Sequence, residues 1–294
     1  MFVCFYIQAN RESQLDRGMS MKKSTKIIII TVSLLIIAGG LVLLNGLYGN
    51  PVSKKRAEHT AEKYIQEMYP QTNYQITEVF YNFKDGYYHA QIESETSIDT
   101  HFTVAIQTNK VVYDSYEDDV TSGWNTYQRI DQAYREKVEE VFDEPNFPIR
   151  SDIDFGTFEL IEADQTYDEM EADYGLMLEE LEIDQSYDLH NLAETKGHII
   201  YYGQDEEISY EKAAEHLQII KEALDQADLP FYAIDYTLEK PRNEDGTGKG
   251  DDETIDIVNF PYTNISDSNI TEQIEAAHHK LAQYYEEQDK DMQE

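Results

Sequence analysis

The stretch KKSTKIIIITVSLLIIAGGLVLLNGLY, residues 22–48, governs how the whole chain is understood. Lys22, Lys23 and Lys26 lead into a run from Ile27 to Leu44 that carries no charge and nothing more polar than Thr31 and Ser33. A helix rises about 1.5 Å per residue and needs about 20 residues to cross a hydrocarbon core roughly 30 Å thick, so this run, extended by Asn45 to Tyr48, is long enough to span a membrane. It exceeds the apolar core of a cleaved signal, and no clean A-x-A-like site comes after it, so a retained anchor is expected. The expected orientation puts the N-terminus inside and the C-terminal portion outside, although Lys54, Lys55 and Arg56 beyond the span reduce the basic asymmetry. Met19 and Met21 each place a short Lys-rich segment directly before the run, so residues 1–20 are expected to precede the true start.

Residues 21–49 are thus the anchor and its flanks, and the chain beyond them is strongly acidic. Residues 1–50 hold five Lys/Arg and two Asp/Glu, a net +3, so residues 51–294 carry −39 against a chain total of −36. Such a field repels nucleic acid and anionic lipid unless a local basic patch intervenes, and the sequence offers none beyond Lys54, Lys55 and Arg56. No nucleic-acid partner is expected. Cys4 is the one cysteine and precedes the span, which rules out disulfides in the acidic portion and a lipid-modified start after the apolar run.

From Asn50 the pattern becomes that of a soluble helix. Asn50 suits the N-cap and Pro51 the first helical position, Ala57, Ala61, Tyr64, Ile65 and Met68 recur at helical spacing, and Tyr69-Pro70 ends the helix. Strand patterns come next at Tyr74 to Phe83 and Tyr87 to Glu93, joined through Lys84-Asp85-Gly86, then at Phe102 to Ile106, and after Asn109-Lys110 at Val111 to Tyr116. A helix succeeded by a four-stranded antiparallel meander makes an α+β domain over residues 50–120.

The order of a Lys-rich start, an apolar span, Tyr48-Gly49-Asn50-Pro51-Val52-Ser53-Lys54-Lys55, a helix ending in Met68-Tyr69-Pro70, and Tyr81-Asn82-Phe83-Lys84-Asp85-Gly86 before a strand resembles the YfjL-like family. Its members are uncharacterised membrane-anchored proteins of Bacillus and related Firmicutes. The resemblance covers residues 21 to about 116 and implies an anchored protein without carrying over a catalytic set. The helix-plus-meander unit is also similar in outline to PepSY-type domains, extracytoplasmic modules implicated in restraining peptidases; that likeness is topological and brings no functional residue.

A polar joint, Glu117-Asp118-Asp119 with Thr121-Ser122-Gly123, separates this from a second α+β domain of mixed helices and strands over residues 124–289. Its pattern predicts a helix at Asn125–Phe142, a strand at Ile153–Leu160 with a bulge at Gly156, helices at Tyr167–Leu181 and Asp188–Glu194, and a strand at His198–Tyr202. A helix capped by Ser209, strands at Tyr232–Leu238 and Ile255–Ile257, and a closing helix from Ile270 to Tyr284 complete it. No internal repeat is expected, and residues 290–294 read as a frayed tail.

Candidate chemistry is sparse. Asn243 to Glu253 resembles a calcium loop until its twelfth position, which is Thr254 where a bidentate Glu is needed, and Gly248-Lys249-Gly250 lacks the Ser/Thr of a phosphate loop. Adjacent His278 and His279 point about 100° apart on a helix and do not chelate one ion. Carboxylates such as Glu179, Glu180 and Glu182 are too numerous for a catalytic pair to stand out. Among the 23 tyrosines, Tyr87-Tyr88 and Tyr201-Tyr202 could line a groove, but alternation on a strand turns one of each pair inward. The expectation is therefore no catalytic residue, no metal site and no cofactor, and a non-enzymatic binding or regulatory module of the cell envelope with an envelope protein or peptide as partner. A carboxylate-dependent extracytoplasmic hydrolase and a structural acidic surface protein are the alternatives.

Overall fold

The computed structural model describes residues 22–243 and 253–291 and divides into two compact units. Among the described residues, the first takes in 22–72, 76–92 and 103–114, and the second 73–75, 93–102, 115–243 and 253–291.

In the first unit, helix α1 (Lys23–Tyr48) buries none of its side chains. Gly49 stops it at φ +67°, a conformation open to glycine at little cost, and a Cβ there would run into Tyr81 and the Tyr88 hydroxyl. Helix α2 (Pro51–Met68) starts at once: the Asn50 side chain accepts from Ser53 N at 2.8 Å, and Pro51 gives up an N–H that a first turn leaves unbonded anyway. Ala57, Ala61 and Ile65 form its buried stripe. The hydroxyls of Tyr64 and Tyr69 both donate to Asp114, at 2.8 and 2.6 Å, and tie the helix to the sheet.

The first sheet runs in chain order, β1 (Tyr74–Asn82), β2 (Tyr87–Ser94), β3 (His101–Gln107) and β4 (Lys110–Asp114). Asp85 accepts from Tyr87 N at 2.8 Å and closes the first hairpin. Thr108 and Asn109, at φ +48° and +63°, make the second tight turn.

In the second unit, strands β5 (Arg150–Phe158), β6 (Gly197–Gln204), β7 (Ala233–Glu239) and β8 (Ile255–Pro261) lie in sequence order, antiparallel except for β6 and β7. That parallel pair needs a crossover, and helix α5 (Tyr210–Gln226) supplies it. Helices α3 (Trp124–Phe142), α4 (Leu189–Lys196) and α6 (Ile270–Asp291) complete the unit. Ile130, Tyr134 and Val138 of α3, Leu217, Ile220 and Leu224 of α5, and Ile274 of α6 pack with Ile199, Tyr201, Ile234 and Tyr236 of the sheet into one core. Ser209 accepts from Lys212 N at the start of α5, and Asp188 from His190 N and Asn191 N at the start of α4.

Two expectations are corrected. Gly156 is no bulge; the register slips between Ser151 and Asp154 instead. Glycine is needed at 156 because a Cβ would stand 2.7 Å from Tyr134 Cε1 and Val138 Cγ2. Nor is Tyr167–Leu181 a helix: only Leu178–Glu180 forms a short 3-10 turn. Leu176 N bonds Glu159 O at 2.8 Å and Ile161 N bonds Leu176 O at 3.0 Å, so this segment commits backbone groups to the end of β5 that a helix would need internally.

Candidate functional site

Alternation gives the second sheet two unlike faces. Ile199, Tyr201, Ile234, Tyr236 and Ile257 are buried toward the helices. The opposite face presents Ile200, Tyr202, Asp235, Thr237, Asp256 and Val258, all half-buried. These six, with Tyr285 and His278 of α6, line a cleft of about 510 Å³. A second cleft of about 290 Å³ shares Asp235 and continues over Glu159, His198, Tyr167, Met170 and Asn259.

His198 is the centre of this second cleft. Its side chain is buried, with Nδ1 2.7 Å from Glu159 Oε1 and Nε2 3.0 Å from Asp235 Oδ1, the latter an ion-pair approach out of line for a regular hydrogen bond. Asp235 Oδ1 also accepts from Asn259 N at 2.6 Å. Asn259 sits at φ +50° where β8 slips register against β7; it accepts from the Tyr174 hydroxyl at 2.8 Å and donates to Met170 O at 2.9 Å. Burial by itself lowers the pKa of His198, but the carboxylates of Asp235 and Glu159 held against its ring outweigh it and lift the value to about 9. At neutral pH that shift favours the imidazolium form, in which both ring nitrogens are donors. Chemically the group is a cation clamped between carboxylates from β7 and the end of β5.

His216 shows the opposite behaviour. Its burial in the core, the largest influence on it, pushes its pKa down, and its Nδ1 lies 2.7 Å from the Tyr236 hydroxyl. The neutral ring accepts that bond.

Another charged knot in the second unit centres on Asp99, which is 1% exposed. It accepts from Arg129 Nε at 2.6 Å and Nη2 at 2.9 Å, from Thr126 Oγ1 at 2.8 Å and from Asp184 N at 2.8 Å. Burial raises its pKa, yet the Arg129 guanidinium and these donors hold it below the ordinary carboxylate value.

The loop beside each of these groups reveals an internal repeat, correcting the expectation of none. Glu162-Ala163-Asp164-Gln165-Thr166-Tyr167-Asp168 and Glu182-Ile183-Asp184-Gln185-Ser186-Tyr187-Asp188 share one pattern. They also share one geometry. Glu162 N donates to the Tyr167 hydroxyl and Glu182 N to the Tyr187 hydroxyl, while Gln165 N and Gln185 N bond Glu162 O and Glu182 O at 3.3 and 3.2 Å. The second copy grips the Asp99 knot, where Asp184 Oδ1 accepts from Ser97 Oγ at 2.9 Å and Asp99 N at 3.0 Å. The first copy borders the His198 cleft through Gln165 and Tyr167.

Of the residues singled out in the sequence, Tyr202 and His278 reach the larger cleft and the others fall elsewhere. His278 Nδ1 accepts from Asp256 N at 3.1 Å at the rim of the larger cleft, while His279 is exposed, its side chain 61% accessible. Glu179, Glu180 and Glu182 are not brought together as a buried pair; Glu180 lies 3.6 Å from Lys196 instead. Tyr201 is core and Tyr202 lies on the open face, as alternation requires, whereas Tyr87 and Tyr88 are both half-buried. The glycine-rich loop considered for calcium lies almost wholly outside the described residues. Among the described residues no set of three or more His, Cys, Asp or Glu side chains is arranged to hold a metal ion.

Comparison with known families gives these features a setting. A model described as the YfjL-like N-terminal domain matches residues 22–115, and one described as the YfjL-like C-terminal domain matches residues 133–275. No curated protein and no solved structure matches.

Proposed function

This chain belongs to the YfjL-like family, and from that premise we propose that it is a single-span membrane protein whose acidic portion stands outside the cell. There it acts as a non-enzymatic binding or regulatory module for an envelope protein or peptide. The observation that supports the anchor is α1: Leu35, Ile36 and Leu43 are each 67–69% exposed, and the helix has no buried residue. Apolar surface left in water costs about 25 cal/mol per Å², and a hydrocarbon core removes that cost.

The open face of the second sheet is the binding surface in this reading. Tyr202, Tyr285 and Ile200 offer aromatic and apolar area beside Asp235 and Asp256. A hydrolase is less well supported: acid and base need different proton states, whereas Glu159 and Asp235 are both engaged by the charged His198.

A photoreactive phenylalanine analogue at position 202 tests the surface in intact cells, with the same analogue at Glu222 on α5 as the comparison. Crosslinks to a discrete envelope protein from position 202 and not from 222 are expected. No crosslink, or the same products from both positions, contradicts the reading.

A further inference from the structure

We propose that the first unit does not merely hang from its anchor but rests on the membrane through a basic, partly apolar rim that binds anionic lipid headgroups. The proposal rests on the reading of α1 as a membrane span. The sequence from Asn50 to Tyr116 contains six Lys/Arg residues, and the fold gathers five of them, Lys54, Lys55, Arg56, Lys84 and Lys110, at the end where the anchor enters. The sixth, Lys63, sits further along α2 and pairs with Glu67 at 3.5 Å.

Three observations fix the placement. An antiparallel meander puts its first and third turns, 83–86 and 108–109, at one end of the sheet. The first of these turns is bound to the anchor junction: Asn50 N donates to the Tyr88 hydroxyl at 2.8 Å, and that hydroxyl lies 3.2 Å from Asn50 O. The other reaches it through a groove that Asn109 lines together with Val52, Lys55, Arg56 and His59.

The side chains at this end match a headgroup layer. All five basic residues are exposed. Tyr48, Val52 and Phe83 stand beside them, 75%, 62% and 59% exposed. Exposed aromatic and apolar groups among cations are what an anionic interface accommodates, with each Lys or Arg near the surface adding to the attraction. The carboxylates of this end are Glu58, Glu62 and Asp85; Glu62 lies 3.3 Å from His59, and Asp85 is turned onto Tyr87 N and His89, at 2.8 and 2.9 Å. A positive rim on a portion that carries −39 also has an orienting effect, since the rest of the field is repelled by the same lipids.

The test is hydrogen exchange on the full chain reconstituted in phosphatidylcholine vesicles, with and without phosphatidylglycerol. Amides of 83–86 and 108–110 are expected to exchange about fivefold or more slowly when the anionic lipid is present, an effect that salt abolishes. The pair Lys84→Gln and Lys110→Gln, both exposed, is expected to erase the difference, and Lys63→Gln to preserve it. Equal exchange in the two vesicles, with the chain floating with lipid in both, overturns the rim and leaves the anchor standing. A chain that fails to float with either vesicle overturns both.

Discussion

His198 holds its proton up to about pH 9 in the fold, against about 6.5 in an unfolded chain. Because the folded value is the higher one, the stabilisation is complete below about pH 6.5 and is lost as pH rises toward 9, for a total on the order of 3 kcal/mol. Urea midpoints measured from pH 6 to 10 are expected to fall for the native chain and to stay flatter for His198→Gln; parallel profiles would show that the proton is not bound in this way. Asp99 has the opposite sign. Its folded pKa is depressed, so its contribution is present at neutral pH and survives acid down to about pH 4. Asp99→Ala leaves Arg129, Thr126 and Asp184 N without their acceptor, and a loss of about 3 kcal/mol is expected in the same urea measurement. A loss under about 1 kcal/mol would mean that water replaces the carboxylate freely.

Among the elements, α3 lies close against β5. Gly156→Ala puts a methyl group against Tyr134 and Val138, and overpacking of this kind costs about 1–3 kcal/mol; an unchanged melting temperature would mean that α3 shifts without resistance. Elements with local determinants were legible in the sequence. Asn50 with Pro51 and Ser209 set helix starts through bonds to residues three positions on, and Asp85-Gly86 marked a hairpin by its own turn chemistry. The segment 160–188 was not legible as a helix or a strand, because tyrosine hydroxyls and the end of β5 satisfy its backbone, although its repeated Glu-x-Asp-Gln-(Ser/Thr)-Tyr-Asp letters were present to be found. The cluster of Glu159, His198 and Asp235 was hidden for a different reason. Its members lie on separate strands, and only the parallel register of His198 with Ala233 and the end of β5 bring them together.

Across the whole molecule, charge and hydrophobicity are segregated along the chain: an uncharged apolar run first, then a portion at −39. Self-repulsion of that size is screened by salt, so melting temperature at pH 7 is expected to rise between low and physiological ionic strength. A fall would mean that ion pairs such as Arg129 with Asp99 outweigh the repulsion. Whether the protein is anchored with its acidic portion facing outward is decided by adding protease to intact cells and probing with an antibody against that portion. Its removal from intact cells is the expected result. Protection in intact cells and in wall-stripped cells alike, with digestion only after the membrane is broken, would put the acidic portion inside and contradict the proposed topology.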